Sequence, residues 1–329
     1  MELNAKRGEP WFDDGNIVLV TDENSTAFRV HRGVLGRHSE VFQGMFGIPQ
    51  PISVHDLETY EGCQIVRVYD LPSELGNLIT ALYDGATFYH RNFEDFLYLA
   101  GILRLSTKYL IPRLRTQCIR FLTETWPYTL QGHDAMVSTA LKSPSTDNLT
   151  YPYVHPLHVL NLANEVNVRI VIPSAVYFLS LYPLPDLLRG DHPKLVVNHP
   201  SSPSSALNPT DITAYTLMFQ HRLTIILDFV RRFFDERAPA TACTTEQACM
   251  RGFGRLASRL SRSWMTRTGP LYYMVQAVNR LSDESSVCEH CLALFHDDVE
   301  ILRAKLWKDL PSIIGLPHWE DLEAADLSH

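Results

Sequence analysis

The chain has 329 residues, enough for two ordinary domains, and its 45% hydrophobic and 20% charged residues are the composition of a globular protein, which excludes global disorder. Its 29 basic and 37 acidic residues give a net charge of -8, which argues against nucleic-acid binding driven by whole-protein electrostatics and leaves room only for a local basic face. Met1 to Pro10 lacks the apolar run of a secretory signal, and the longest uncharged apolar run, Ile170 to Pro185, is short for a bilayer span and interrupted by Pro173 and Pro183.

The expectation is therefore an intracellular protein, cytoplasmic or nuclear, with no membrane contact. Its six cysteines are then expected as free thiols or metal ligands rather than disulfides. Residues 1–13 are polar and expected to fray, with Trp11 and Phe12 docking on a domain edge. Ile17-Val18-Leu19-Val20 is a continuous apolar run, the pattern of a strand buried on both faces. Asp22 to Ser25 are turn formers, and Ala27 to His31 alternate apolar and polar, so the pair predicts a hairpin whose second strand is half-buried. The period then changes to helical: Val34 and Leu35, then Val41, Phe42, Met45 and Phe46. Ser39 is placed to cap the second short helix, and Glu40 suits the positive end of its dipole.

The run Phe28-x-Val30-His31-Arg32-x-Val34-Leu35-x-x-x-Ser39-x-x-Phe42-x-x-Met45-Phe46 closely resembles the opening of a BTB/POZ domain, with Asp14 to Val20 similar to that family's first strand. The resemblance implies an α+β fold, a small sheet with flanking helices, and a protein-interaction role rather than an enzyme. It also implies that His31 and Arg32 fix the turn into the first helix. Many members exchange an N-terminal helix and strand between subunits, and the stretch before Asn16 leaves little room for these. Within the family the resemblance is to fungal members with a helical C-terminal region.

Gly47 to Gly62, with Pro49 and Pro51, is expected as a loop, and Ile65 to Tyr69 as a third strand. Leu75, Leu78, Ile79 and Leu82 define a helix begun at Pro72-Ser73 and ended at Gly85. Asn92 caps a helix carrying Phe93, Phe96, Leu97, Ala100 and Leu103, and another, after Tyr109, carries Leu114, Cys118, Phe121 and Leu122. These two resemble the last helices of the BTB fold, so the resemblance covers residues 14–126.

Residues 127–184 are expected as a helical extension, with a loop around Ser143 to Asp147 and helices over Leu157 to Val166 and from Pro173. Residues 185–209, with five prolines around Ser201 to Ser205, are expected as a linker or long exposed loop. Residues 210–329 form a C-terminal helical region: helices begin at Thr210-Asp211 and cover Arg255–Met265, Leu271–Leu281 and Val299–Trp307, followed by a folded tail containing Trp319.

Two features carry chemistry. Cys288-Glu289-His290-Cys291 is a CxxC, and Cys243-x5-Cys249 lies upstream; the four thiols are a candidate structural zinc site, with His290 or His296 as substitutes for one of them. The plainer alternative is four reduced thiols near helix ends; a redox CxxC would require a thioredoxin-like βαβ context that is missing. Arg251, Arg255, Arg259, Arg262 and Arg267 fall mostly on one helical face, either a basic docking surface or a solvated face opposite Phe253, Leu256, Leu260 and Trp264.

The expected function is association with protein partners through the BTB domain: a second copy, another BTB protein or, by resemblance, a cullin scaffold. The alternative is a transcription-associated protein that contacts nucleic acid through the arginine helix.

Overall fold

Four consecutive apolar residues need cover on both faces, and the fold supplies it. In the computed structural model, which describes residues 5–21, 26–48, 59–144, 152–263 and 269–328, strand β2 (Ile17–Thr21) is wholly buried. The turn Asp22–Ser25, Pro49 and Pro51, Ser145 and Asp147, and Trp264, Met265 and Arg267 lie outside the described residues. β2 pairs antiparallel with β3 (Thr26–Val30), Leu19 opposite Phe28, and parallel with β5 (Cys63–Val68), Leu19 opposite Val66. Two-residue strands close the edges: β1 (Lys6–Arg7) runs parallel to β3, and β4 (Thr59–Tyr60) antiparallel to β5.

The order β1-β3-β2-β5-β4 places β2 at the centre. Ile17, Leu19, Phe28 and Val30 face the helices, while Val18, Val20, Ala27 and Cys63 are covered by Trp11, Tyr60 and Ile65. This two-sided cover is why β3 is more buried than its alternation implied. It also gives residues 5–13, expected to fray, a structural role.

The helices over the sheet follow the apolar stripes. They are α1 (Arg32–His38), α2 (Glu40–Gly47), α3 (Pro72–Asp84), α4 (Phe93–Lys108) and α5 (Pro112–Thr125). The Asn92 side chain accepts from the Asp95 amide at 3.0 Å and caps α4. Gly85 ends α3 at φ 88°, a conformation open to glycine because it lacks a Cβ.

A mostly helical region follows. It contains α6 (Leu130–Lys142), α7 (Pro156–Glu165), α8 (Ile172–Leu179), α9 (Leu184–Arg189) and α10 (Pro209–Val230), whose end widens into a π turn at Arg231–Asp235. It continues through α11 (Glu246–Ser263), α12 (Pro270–Ser282), α13 (Glu289–Ile313) and α14 (Trp319–Leu327). Asn208 and Asp211 close a reciprocal capping box at the start of α10. The Pro/Ser-rich stretch before it carries α9 and buries Leu187, Leu195 and Ser201.

Apolar burial divides into two main clusters. The first runs from the sheet through α7 and α8 to Trp307, Trp319 and Leu322. The second gathers Ile226, Phe229, Phe253, Tyr273, Cys291 and Phe295. Helices α10 and α13 serve both: Tyr215 and Met218 enter the first and Ile226 and Phe229 the second, while Trp307 and Phe295 divide α13 in the same way.

No helix among the described residues is long and apolar enough to cross a membrane.

Candidate metal centre and interaction module

The cysteine spacings become a site through three local structures. Cys288 is the N-cap of α13 and Cys291 is its third residue, neighbours three apart on one helical face. Cys249 lies in the first turn of α11, where its amide donates to the Thr245 carbonyl at 3.0 Å. Cys243 sits in the preceding turn, its amide on the Ala240 carbonyl at 2.9 Å. The long Cys-x5-Cys spacing is thus a turn plus the start of a helix. Gly252 lets the two halves meet, since a Cβ there would lie 2.5 Å from the Val287 side chain.

The four Sγ atoms all lie within 4.8 Å of one another, with Cys243–Cys249 at 3.6 Å and Cys288–Cys243 at 3.7 Å. Zn–S bonds of about 2.3 Å in a tetrahedron imply sulfur separations of roughly 3.8 Å, so four ligand atoms are grouped at the size of such a site. They can hold a metal ion. Cys249 and Cys291 are buried, and Cys243 and Cys288 are half-buried. His290 is exposed and His296 faces Asp297, so neither histidine joins the group.

Backbone amides face two of the sulfurs and favour negative charge there. The Cys288 amide donates to Cys249 Sγ at 3.3 Å and the Ala240 amide to Cys291 Sγ at 3.4 Å. Burial pushes the Cys249 thiol up, but the Cys288 amide, Thr245 and the neighbouring thiols outweigh it and bring it down to about 7. Burial takes Cys291 the other way, to about 12, and, against a backbone hydrogen bond from Thr245, burial and the neighbouring thiols raise Cys243 as well. The N-termini of α11 and α13 both point at the cluster, and their dipoles add to the effect of the amides.

In the opening segment, the hairpin and short helices are fixed by polar contacts. The Tyr83 hydroxyl accepts from the His31 amide at 2.9 Å and lies 2.8 Å from His31 Nδ1, and Phe12 stacks on Tyr83 at 4.2 Å. The Arg32 amide donates to Asn16 Oδ1 at 2.8 Å, and its guanidinium lies over Phe46 and donates to that residue's carbonyl. Ser39 Oγ accepts from the Phe42 amide at 3.1 Å and donates to the Tyr109 carbonyl at 2.5 Å. Phe42 stacks on Tyr109 at 4.6 Å. Val30, Leu35 and Phe28 are core, with Met45 and Phe46 packed against it.

This arrangement of sheet, paired short helices and three longer helices occupies the residues matched by the family model described as BTB/POZ domain, 12–125. The chain carries a BTB/POZ domain. No curated protein matches the chain. A BTB/POZ domain is a protein-interaction module, and here its motif side chains hold a turn and a helix cap rather than form a reactive group.

The BTB domain is joined to the helical region by charge and by aromatic packing. Arg104 of α4 donates to Glu74 at 2.9 Å, to Glu165 of α7 at 2.7 Å and to the Ser201 carbonyl at 2.9 Å. Trp126 packs edge-on against Phe178. Within the helical region, Asp326 of α14 accepts from the amides of Arg169 and Ile170 at 2.7 and 2.8 Å.

The arginine face of α11 is partly engaged. Arg255 and Arg259 reach Glu284 at 2.8 and 3.4 Å, and Arg255 holds that carboxyl below its ordinary range. Arg262 donates to Ser258 at 3.1 Å, and Arg251 is exposed. Phe253, Leu256 and Leu260 form the buried opposite face.

One residue packed against the second core escaped the sequence reading. Arg237 lies six positions before Cys243 with no local pattern to mark it, and only the fold brings it to the second core.

Proposed function

We propose that this is a non-enzymatic interaction protein whose BTB domain, residues 14–126, associates with a second copy or another BTB domain, with a cullin scaffold as the further partner class. The BTB/POZ domain over residues 12–125 carries this reading. The extension 127–184, the stretch 185–209 and the C-terminal region 210–329 brace the domain and supply partner choice. Cys243, Cys249, Cys288 and Cys291 hold a structural zinc ion that stabilises the second core; the support for this is four sulfurs grouped at tetrahedral scale with amide donors aimed at them.

Light scattering on the purified chain at tens of micromolar tests association, with a dimer expected. A clean monomer would remove the homodimer, and a cullin pull-down that recovers nothing would remove the ligase version. Elemental analysis is expected to find one zinc per chain, and its absence would remove the metal reading.

A further inference from the structure

Behind the four sulfurs lies a buried cation. The Arg237 side chain is 7% exposed, and its guanidinium carbon lies 5.1 Å from the ring centre of Phe253, 5.0 Å from Phe295 and 5.9 Å from Phe233. Phe253 follows Cys249 by four residues on α11, and Phe295 follows Cys291 by four on α13. Residues four apart stack one turn along the same helical face. The aromatic box therefore sits one turn behind two of the cysteines, at the same level on both helices.

Burial lowers the Arg237 pKa, and Asp298 and Cys291 act to raise it. Its Nη2 forms an ion pair with Asp298 Oδ2 at 3.1 Å. Asp298 is itself 42% exposed, so water screens its hold on the guanidinium.

A divalent ion on four thiolates has a net double negative charge, and burying such a charge is unfavourable unless it is compensated. The amides of Ala240 and Cys288 and two helix N-termini compensate part of it. Glu246 and Glu289, in the first turns of those helices, work against it but are exposed.

We propose that Arg237 is the built-in counter-cation of a divalent metal–tetrathiolate centre at Cys243, Cys249, Cys288 and Cys291. The proposal rests on the metal reading above and adds a reason why this buried site retains its ion. The aromatic box encloses the guanidinium, whose charge is shared between its Asp298 ion pair and the sulfurs. Asp298 competes for that charge from the outer side.

The test uses the full chain loaded with zinc and titrated with a chromogenic chelator. Arg237→Met fills the box without charge and is expected to lose about 10- to 100-fold in zinc affinity, the usual effect of removing an outer partner of a metal site. Arg237→Lys keeps the charge and is expected to restore most of the loss. Asp298→Asn, an isosteric change at a part-exposed position, is expected to tighten zinc binding. Equal retention in Arg237→Met and parent overturns the proposal. So does an Arg237→Lys variant as weak as Arg237→Met, which would assign the effect to shape. Should Arg237→Met fail to fold, Asp298→Asn alone decides: unchanged or weaker retention overturns the counter-charge. A parent chain that takes up no zinc fails at the first step and removes the metal reading as well.

Discussion

The indole of Trp319 stacks on that of Trp307 at 5.5 Å, and its Nε1 donates to the Trp307 carbonyl at 2.7 Å. Trp307 in turn donates to the Tyr128 carbonyl at 2.9 Å, so one aromatic pair ties α14 to α13 and both to the segment leaving the BTB domain. Trp319→Ala removes a buried ring and an aligned hydrogen bond. It is expected to destabilise the chain by about 3–5 kcal/mol, read as a lowered midpoint in urea, with earlier proteolysis between α13 and α14.

Asp326 is buried and accepts two backbone amides, those of Arg169 and Ile170. Asp326→Ala leaves both donors without a partner, with an expected loss of about 2–4 kcal/mol. Asp326→Asn retains one acceptor oxygen and is expected to lose less. An Ala variant as stable as the parent would mean that water replaces the carboxylate.

Zinc removal or Cys288→Ser is expected to loosen the second core and leave the first largely folded, because the four cysteines belong to the second or pack against it. Hydrogen exchange checks this: protection should fall in α11 and the first turns of α13 while β2, β3 and α4 keep theirs. Uniform loss across both cores would show that they unfold as one unit.

His133 is enclosed by Tyr177, Phe178 and Trp307, neither ring nitrogen has a hydrogen-bond partner, and burial takes its pKa down to about 3. The free side chain titrates near 6.5, so between 6.5 and 3 the unfolded chain binds more protons. Stability from this group is complete above 6.5 and is lost as pH falls toward 3, by up to about 1.4 kcal/mol per pH unit. His155, also taken to about 3 by burial, acts in the same direction. His133→Phe should flatten the acid limb of the stability profile; an unchanged limb would assign acid sensitivity elsewhere.

Ser39 both caps α2 and reaches the Tyr109 carbonyl. Ser39→Ala is expected to destabilise the BTB domain by about 1–2 kcal/mol, measured by thermal unfolding.

The BTB half was legible because its elements obey single periods. Ile17–Val20, the stripe of Leu75, Leu78, Ile79 and Leu82, and the caps Ser39 and Asn92 all signal locally. Strands Lys6–Arg7 and Thr59–Tyr60 were not, since two residues have no period. Helix α6 was hidden because its fully buried residues are only His133 and Met136, and a histidine does not read as core. The stretch 185–209 has a linker's composition, yet its backbone carbonyls at Ser201, Ser204 and Ala206 serve Arg104 and Asn161. At the cysteine cluster the four residues were visible from spacing, but their convergence depends on the close approach at Gly252. Arg237 depends entirely on tertiary packing.

The contact between Asp326 and the Arg169 amide spans 157 residues of chain. At about 5–20 residues per second, a ribosome needs roughly 8–30 s to pass from one to the other. During that interval the sheet and its first helices can already be folded while the amides of Arg169 and Ile170 await their carboxylate. The nascent chain thus carries an unfinished flank until α14 emerges, which makes synthesis, rather than the finished molecule, the stage at which a chaperone has most to protect.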